Sequence, residues 1–214
     1  DHLKILHTQL NLSQVKGGNI FGARDYAYYH YNRLLQLHGW GCAYRSLQTI
    51  CSWFHLQGIG LVDPQEPAIP THKQIQSILI GLGDKAGTFL NSKQWIGAFE
   101  ISLCLKHLYD ADCRIIYMNS GSEVTSHARA LSSHFSKEGT PIIIGGGVLA
   151  YTLLGLDWNE STAEMRFLIL DPHFTGSDNL KTIKDKGWCS WKDATLFRDD
   201  AFYNFCLPQR PKGI

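Results

Sequence analysis

The sequence predicts an α+β domain in which helices come first along the chain and strands follow. Between Cys42 and Phe135, apolar residues recur at the spacing of amphipathic helices. After Pro141, apolar runs typical of strands follow one another, separated by glycine-rich or polar breaks. This segregation favours an α+β fold over alternating α/β units. The 214 residues, 44% of them hydrophobic, can bury one sizeable core, so we expect residues 1–214 to form a single domain.

Individual elements follow from periodicity and from turn residues. We expect residues 1–24 to be an N-terminal arm or edge segment, and the proline-bearing stretch 57–70 to be a loop. The tyrosine-rich stretch 25–31 suits a strand. Helices are predicted at 42–55, at 71–83 with Thr71 as N-cap, at 92–109 with Trp95 and Phe99 buried, and at 122–135 with His127 and His134 on the surface; strands are predicted at 114–118, 141–144, 148–156, 165–171 and 203–207.

Charge and cysteine content exclude several classes of function. The formal net charge of +1 gives no indication of nucleic acid or an anionic membrane as the main partner. No apolar run reaches the roughly 18 residues of a membrane span, and no secretory signal opens the chain. The six cysteines show no C-x-x-C pair and no zinc-ligand spacing, so we expect free thiols in a reducing compartment, with no metal and no organic cofactor. We expect a cytoplasmic monomer.

The first candidate site residue is Cys42, which follows the turn Gly39-Trp40-Gly41 and opens the predicted helix. A thiol in the first turn of a helix lies near unpaired backbone N–H groups and the positive end of the helix dipole. Both favour the thiolate, which is the nucleophilic form of cysteine. The alternative is that Cys42 is a small buried hydrophobic residue, as free cysteines usually are.

A second motif decides between these alternatives in favour of catalysis. Asp171-Pro172-His173 follows an apolar run that predicts a buried strand. On a strand, residues two apart point to the same face, so Asp171 and His173 are expected side by side. Pro172 has no N–H for the ladder and indicates that strand pairing ends there. A cysteine, a histidine and a carboxylate that orients the histidine form a nucleophilic constellation.

Four motifs in order resemble the cysteine proteases specific for the ubiquitin-fold modifier. They are Gly39-Trp40-Gly41-Cys42-Ala43-Tyr44-Arg45-Ser46-Leu47-Gln48-Thr49, Gly145-Gly146-Gly147-Val148-Leu149-Ala150, Leu170-Asp171-Pro172-His173-Phe174-Thr175-Gly176 and Leu207-Pro208-Gln209-Arg210-Pro211. The resemblance extends from about Tyr28 to Pro211. A shorter resemblance, to the Gly-Trp-Gly-Cys and Asp-Pro-His motifs alone, exists with the autophagy-related cysteine proteases, which remain the alternative family.

The resemblance implies a papain-like fold with Cys42 as nucleophile, His173 as general base and Asp171 as its orienting carboxylate. It also implies that a tyrosine hydroxyl of the Tyr29-His30-Tyr31 motif belongs to the oxyanion hole, with Tyr31 the first candidate. In this family the segment between the Tyr-His-Tyr motif and the Gly-Trp-Gly-Cys motif is usually acidic. Here that segment, residues 32–38, is not acidic and is one residue shorter than usual. Tyr29 therefore remains the second candidate.

The implied substrate is the ubiquitin-fold modifier, as a precursor and as conjugates, cleaved after its C-terminal glycine. Its tail would lie between the Trp40 turn and the glycine-rich segment 145–147. One alternative is a catalytically silent module that only binds the modifier, and another is an acyltransferase with the same triad. A longer chain, as in some family members, would place the enzyme at the surface of the endoplasmic reticulum.

Overall fold

A single antiparallel sheet forms the centre of the computed structural model, which describes residues 15–31, 37–147 and 149–212. Within these residues seven strands pair, six of them in the order β2-β7-β3-β4-β5-β6, while β1 pairs with β4. The strands are β1 (Asn19–Gly22), β2 (Cys113–Met118), β3 (Ile142–Gly146), β4 (Leu149–Trp158), β5 (Met165–Leu170), β6 (Cys189–Lys192) and β7 (Tyr203–Pro208).

Strand β4 is long enough to pair with two strands along one side. Its first half pairs with β3, and its second half pairs with β1, with Asn19 opposite Trp158. On its other side β4 pairs with β5, and the register shifts between Leu153 and Gly155. The part of the predicted N-terminal segment that the structure describes therefore includes a paired edge strand, and residues 1–14 lie outside the described residues.

Helices cover both faces of this sheet, which gives two apolar cores. Alternate residues of a strand point to opposite faces of the sheet, and here both sets include buried apolar side chains. Helices α1, α2 and α3 pack on one face, and α4 packs on the other. The helices are α1 (Cys42–Leu56), α2 (His72–Gly81), α3 (Ala98–Tyr109), α4 (Ala128–Lys137) and α5 (Leu180–Asp185), with 3-10 turns at Gly87–Phe89, Gly121–His127 and Ala194–Leu196.

The predicted helix at 42–55 is confirmed as α1, and almost all of it is buried. Leu47, Ile50, Cys51 and Phe54 are fully buried, as the apolar stripe predicts. The predicted N-cap of α2 is also confirmed, because the Thr71 side chain accepts the backbone N–H of Gln74. The α+β layout predicted from the sequence is the observed one.

The predicted strand at 25–31 is wrong. These residues form no strand, and within them only Ala27 makes an isolated β-bridge. Ala27 donates its backbone N–H to the Ser52 hydroxyl at 2.8 Å, and Tyr29 donates its own to the Thr49 hydroxyl at 3.1 Å, both on α1. Polar side chains on one helix therefore bind backbone groups that a strand would direct to its neighbour.

Three further predictions are corrected. Helix α3 begins at Ala98 instead of Ser92, and Trp95 and Phe99 are 50% and 57% exposed. His134 is only 5% exposed, because its Nε2 atom bonds the carbonyl oxygen and hydroxyl of Thr140. The segment predicted as one helix from Ser122 is a 3-10 turn followed by α4.

No helix in the described ranges is both long and apolar enough to cross a bilayer.

Candidate active site

Cys42 is the first residue of α1, and the turn before it depends on two glycines. Gly39 has φ +82°, a conformation that side chains disfavour. Gly41 packs so closely that a Cβ there would lie 2.9 Å from the Leu37 Cβ atom. These contacts bring the chain abruptly into the helix, so that Cys42 lies where the first backbone N–H groups of α1 have no helical acceptor.

Asp171 and His173 lie together at the end of β5, as predicted, but for a different reason. The strand ends at Leu170, and Asp171 to His173 form a turn. Asp171 Oδ1 accepts the backbone N–H of His173 at 2.9 Å and lies 2.6 Å from Nδ1 of its imidazole. One carboxylate oxygen therefore fixes both the backbone and the ring, and strand alternation is not involved.

The charge of this pair favours a protonated imidazole. Burial alone would lower the pKa of His173, but hydrogen bonding to Asp171 and to Cys42, together with their negative charges, raises it to about 9. With Nδ1 directed to Asp171, Nε2 is the nitrogen left to exchange a proton with the thiol. The arrangement therefore suits His173 as the group that exchanges a proton with the Cys42 thiol.

Tyr31 lies beside both of these residues. Its ring meets the His173 ring edge-on, with centroids 5.4 Å apart, and burial and the nearby Cys42 raise the pKa of its hydroxyl. That hydroxyl is buried and has no well-directed hydrogen bond to any residue within 15–31, 37–147 and 149–212. A buried hydroxyl next to a nucleophile, with no acceptor held in good geometry, suits a developing oxyanion.

Tyr29 faces a different environment. The charged groups that affect the pKa of its hydroxyl are Arg45 and Cys51, and burial raises that pKa. Of the two tyrosines left open by the sequence, Tyr31 is therefore the one beside Cys42. Most of the altered segment 32–38 lies outside the described residues, since the structure describes only its last two.

Sequence reasoning missed two residues near the site. Tyr151 on β4 lies with its ring centroid 5.8 Å from that of His173, and burial, Asp171 and Cys42 raise its pKa to about 12. It also lines a cavity of about 230 Å³ that Gly146, Gly147 and Leu149 border. His30 is the other, and its ring packs against Phe174, the residue after His173. The only sequence signal that could have indicated Tyr151 was its position shortly after the glycine-rich segment 145–147.

A second cavity, of about 590 Å³, lies away from this chemistry, between the 3-10 turns at Gly121–His127 and Ala194–Leu196. It contains none of the four predicted site residues, so its size does not make it the better candidate. Across the part of the chain that the structure describes, no cluster of three His, Cys, Asp or Glu side chains is arranged to hold a metal ion.

Fold and site together define the class, a papain-like α+β protein carrying the side chains of a cysteine peptidase. Comparison with known families then gives the particular one. The sequence pattern of peptidase family C78 matches residues 20–206, and the chain belongs to that family. The resemblance to the modifier-specific cysteine proteases is thereby confirmed.

Several curated relatives carry the name of a modifier-specific protease. The chain is 50% identical over 210 residues to Ufm1-specific protease 2 of Homo sapiens, and 46% identical over 211 residues to probable Ufm1-specific protease 2 of Drosophila melanogaster. These alignments cover 97% of this chain but 44% and 34% of the relatives. The chain thus spans less than half the length of these proteins.

A solved structure supports the fold at similar identity. The crystal structure of UfSP from C. elegans superposes with a TM-score of 0.85 at 44% sequence identity. The match covers 98% of this chain and 38% of that one. The papain-like α+β fold expected from the sequence is therefore confirmed.

Proposed function

We propose that this chain is a thiol peptidase and isopeptidase that cleaves after the C-terminal glycine of the ubiquitin-fold modifier Ufm1. Family membership and the names of relatives at about half identity support the substrate. The observation that carries the chemistry is the 2.6 Å contact between His173 Nδ1 and Asp171, formed beside a cysteine at a helix start. The same reaction serves precursor maturation and removal of the modifier from a lysine side chain.

In the first step, the Cys42 thiolate attacks the carbonyl carbon of the terminal glycine. The carbon–sulfur bond forms as the carbonyl π electrons move to oxygen. The backbone N–H of Cys42 and the Tyr31 hydroxyl donate hydrogen bonds to this oxyanion, each worth a few kcal/mol. The carbon–nitrogen bond then breaks, and His173 gives its Nε2 proton to the leaving amine.

In the second step, water hydrolyses the thioester. Neutral His173 removes a proton from the water as its oxygen attacks the same carbonyl carbon. The carbon–sulfur bond breaks, which releases the glycine carboxylic acid and restores the thiolate–imidazolium pair, and the acid then loses its proton to bulk water. Asp171 stays ionised throughout and holds the imidazole in the required orientation. No metal or organic group enters either step.

We place the substrate tail between two features of the structure. One is the Trp40 turn next to Cys42, whose indole packs edge-on against Tyr44 with centroids 5.4 Å apart. The other is the cavity bordered by Gly146, Gly147 and Tyr151, where the glycines present backbone without side chains. Backbone without side chains allows close approach of an extended peptide, which suits a tail that ends in a small residue.

The test uses Ufm1 carrying an electrophile on its C-terminal glycine, incubated with the parent chain and with Cys42→Ala. We expect a covalent adduct with the parent and none with the variant. A Ufm1 precursor and a Ufm1–lysine isopeptide then distinguish maturation from deconjugation. Labelling by an autophagy-type modifier instead of Ufm1 would overturn the substrate, and binding of Ufm1 without any adduct would indicate a silent module.

A further inference from the structure

The segment 28–31 binds the turn that carries His173 through three consecutive contacts. The Tyr28 hydroxyl donates to the carbonyl oxygen of Asp171, and the Tyr31 backbone N–H donates to that of Pro172 at 3.0 Å. His30 Nδ1 lies 2.9 Å from the carbonyl oxygen of Phe174. The backbone on both sides of His173 is therefore held by the segment that presents Tyr31.

His30 also reaches beyond the turn. Its Nε2 atom lies 2.7 Å from Oδ1 of Asp178, so one ring connects two points on the chain that follows His173. The side chain is fully buried, and its ring packs between Tyr28 and Phe174 at centroid distances of 4.7 and 4.9 Å. The ring is therefore packed on two sides and bound at both nitrogens.

Both ring nitrogens of His30 face acceptors. A backbone carbonyl can only accept, and so can an ionised carboxylate. The two contacts therefore suit a ring that donates from both nitrogens. With the imidazole buried and Asp178 23% exposed, they fix the ring in one orientation at the edge of the core.

We propose that His30 is a positioning residue for catalysis, which sets the orientation of His173 towards Cys42 by holding the Phe174 carbonyl and the Asp178 carboxylate. This inference rests on the proposed function, because it assumes that His173 and Cys42 form the reacting pair. In this role His30 acts through the backbone of the turn and not on the reacting atoms. Of these two contacts, the one to the Phe174 carbonyl has the larger effect on the orientation of His173, because Phe174 is the next residue in the chain.

Three substitutions separate the contacts. In His30→Asn the amide nitrogen lies close to the position of Nδ1, so the bond to the Phe174 carbonyl is retained and the one to Asp178 is lost. In His30→Gln the amide nitrogen lies close to the position of Nε2, so the bond to Asp178 is retained and the one to the Phe174 carbonyl is lost. In Asp178→Asn a neutral His30 keeps both contacts, because the new amide donates to Nε2.

Two measurements are made on each variant, namely kcat and KM for a Ufm1 precursor and the pH profile of Cys42 alkylation by iodoacetamide. A displacement of about 1 Å in a catalytic group costs on the order of 100-fold in rate. We therefore expect His30→Gln to lose about 100-fold in kcat with little change in KM, and its alkylation profile to move to higher pH. His30→Asn and Asp178→Asn are expected to stay within about 10-fold of the parent.

His134→Ala is the matched control, because His134 is also buried and bound to a carbonyl but lies on the opposite face of the sheet. It should lower the melting temperature without moving the alkylation profile. The proposal is overturned if His30→Gln keeps the parental profile, or if His134→Ala shifts it equally. The alkylation profile needs no modifier, so a parent chain with the expected profile that does not cleave Ufm1 would contradict the substrate alone.

Discussion

Asp171 Oδ1 accepts two hydrogen bonds from His173, one from the backbone N–H at 2.9 Å and one from the imidazole at 2.6 Å. The residue that orients the ring therefore also defines the turn on which the ring is mounted. Removing its charge should consequently affect chemistry more than folding.

Asp171→Asn retains an acceptor oxygen but removes the negative charge and allows the wrong tautomer of the imidazole. By analogy with serine-protease triads, kcat should fall by about 10³- to 10⁴-fold. The measurement is steady-state cleavage of a Ufm1 precursor. Asp199→Asn, an equally small change at an exposed position, is the control and should leave kcat unchanged. Similar rates for both variants would exclude Asp171 from the triad.

Stability should depend on pH through His173. Its pKa in the folded chain is raised from 6.5 to about 9, so protonation favours the folded state. The stabilising contribution is complete below about pH 6.5 and is lost as the pH rises through about 9. Denaturant unfolding of the parent and of His173→Gln between pH 6 and 10 measures it. The difference in unfolding free energy should shrink with rising pH, and a growing difference would contradict the ion pair.

Tyr31→Phe removes a hydroxyl that has no well-directed bond within the described part of the chain. We expect kcat to fall by about 10²- to 10³-fold, as for other oxyanion donors, with KM and melting temperature nearly unchanged. Tyr29→Phe is the matched control and should have little effect on kcat. If Tyr29→Phe were the damaging change, the oxyanion donor would have to be reassigned.

Cys42 should be the fastest-reacting thiol. Burial raises the pKa of Cys51 and Cys189 to about 12, so that only about one molecule in 10⁵ carries either thiolate near pH 7. Burial also raises the pKa of Cys104, and a hydrogen bond to Cys113 together with burial raises that of Cys206. Peptide mapping after brief iodoacetamide treatment should find Cys42 modified first. Equal labelling of all six cysteines would favour the silent module.

Gly146→Ala tests the close approach of β3 to the start of β7. Gly146 has φ +142°, and a Cβ there would lie 2.3 Å from the Phe202 carbonyl oxygen. We expect a loss of about 2–3 kcal/mol in the free energy of unfolding, since backbone cannot yield as a flexible side chain does. Gly60→Ala, at a position with open space around it, should change that free energy by no more than about 0.5 kcal/mol. Equal losses of unfolding free energy in the two variants would show that β3 and β7 can move apart to admit the added methyl group.

The sequence was sufficient for features that depend on neighbours in the chain. The apolar period from Cys42 and the Thr71 cap are local signals, and each gave the correct start of its helix. Pro172 after an apolar run placed the end of β5 within one residue, at Asp171 instead of Leu170. The start of α3 was also marked locally, because the Gly97 N–H is accepted by Glu100 three residues on. That signal was outweighed by Trp95 and Phe99, whose spacing fits a buried helical face although both are exposed.

Features that depend on distant partners could not be predicted. His134 is buried because of Thr140, whose hydroxyl in turn bonds the carbonyl of Pro208, 68 residues further on. The extended segment around Ala27 finds its partners on α1, and no alternation of residues encodes that. The role of His30 is of the same kind, since its two acceptors lie more than 140 residues away along the chain.

The bond from the Tyr28 hydroxyl to the Asp171 carbonyl spans 143 residues of sequence. Cys42 likewise precedes His173 by 131 residues, so during synthesis the thiol leaves the ribosome long before its proposed base. Contacts of such long range are the slowest to form. We therefore expect the proposed catalytic pair to assemble late in folding, so that recovery of Cys42 reactivity during refolding reports completion of the domain.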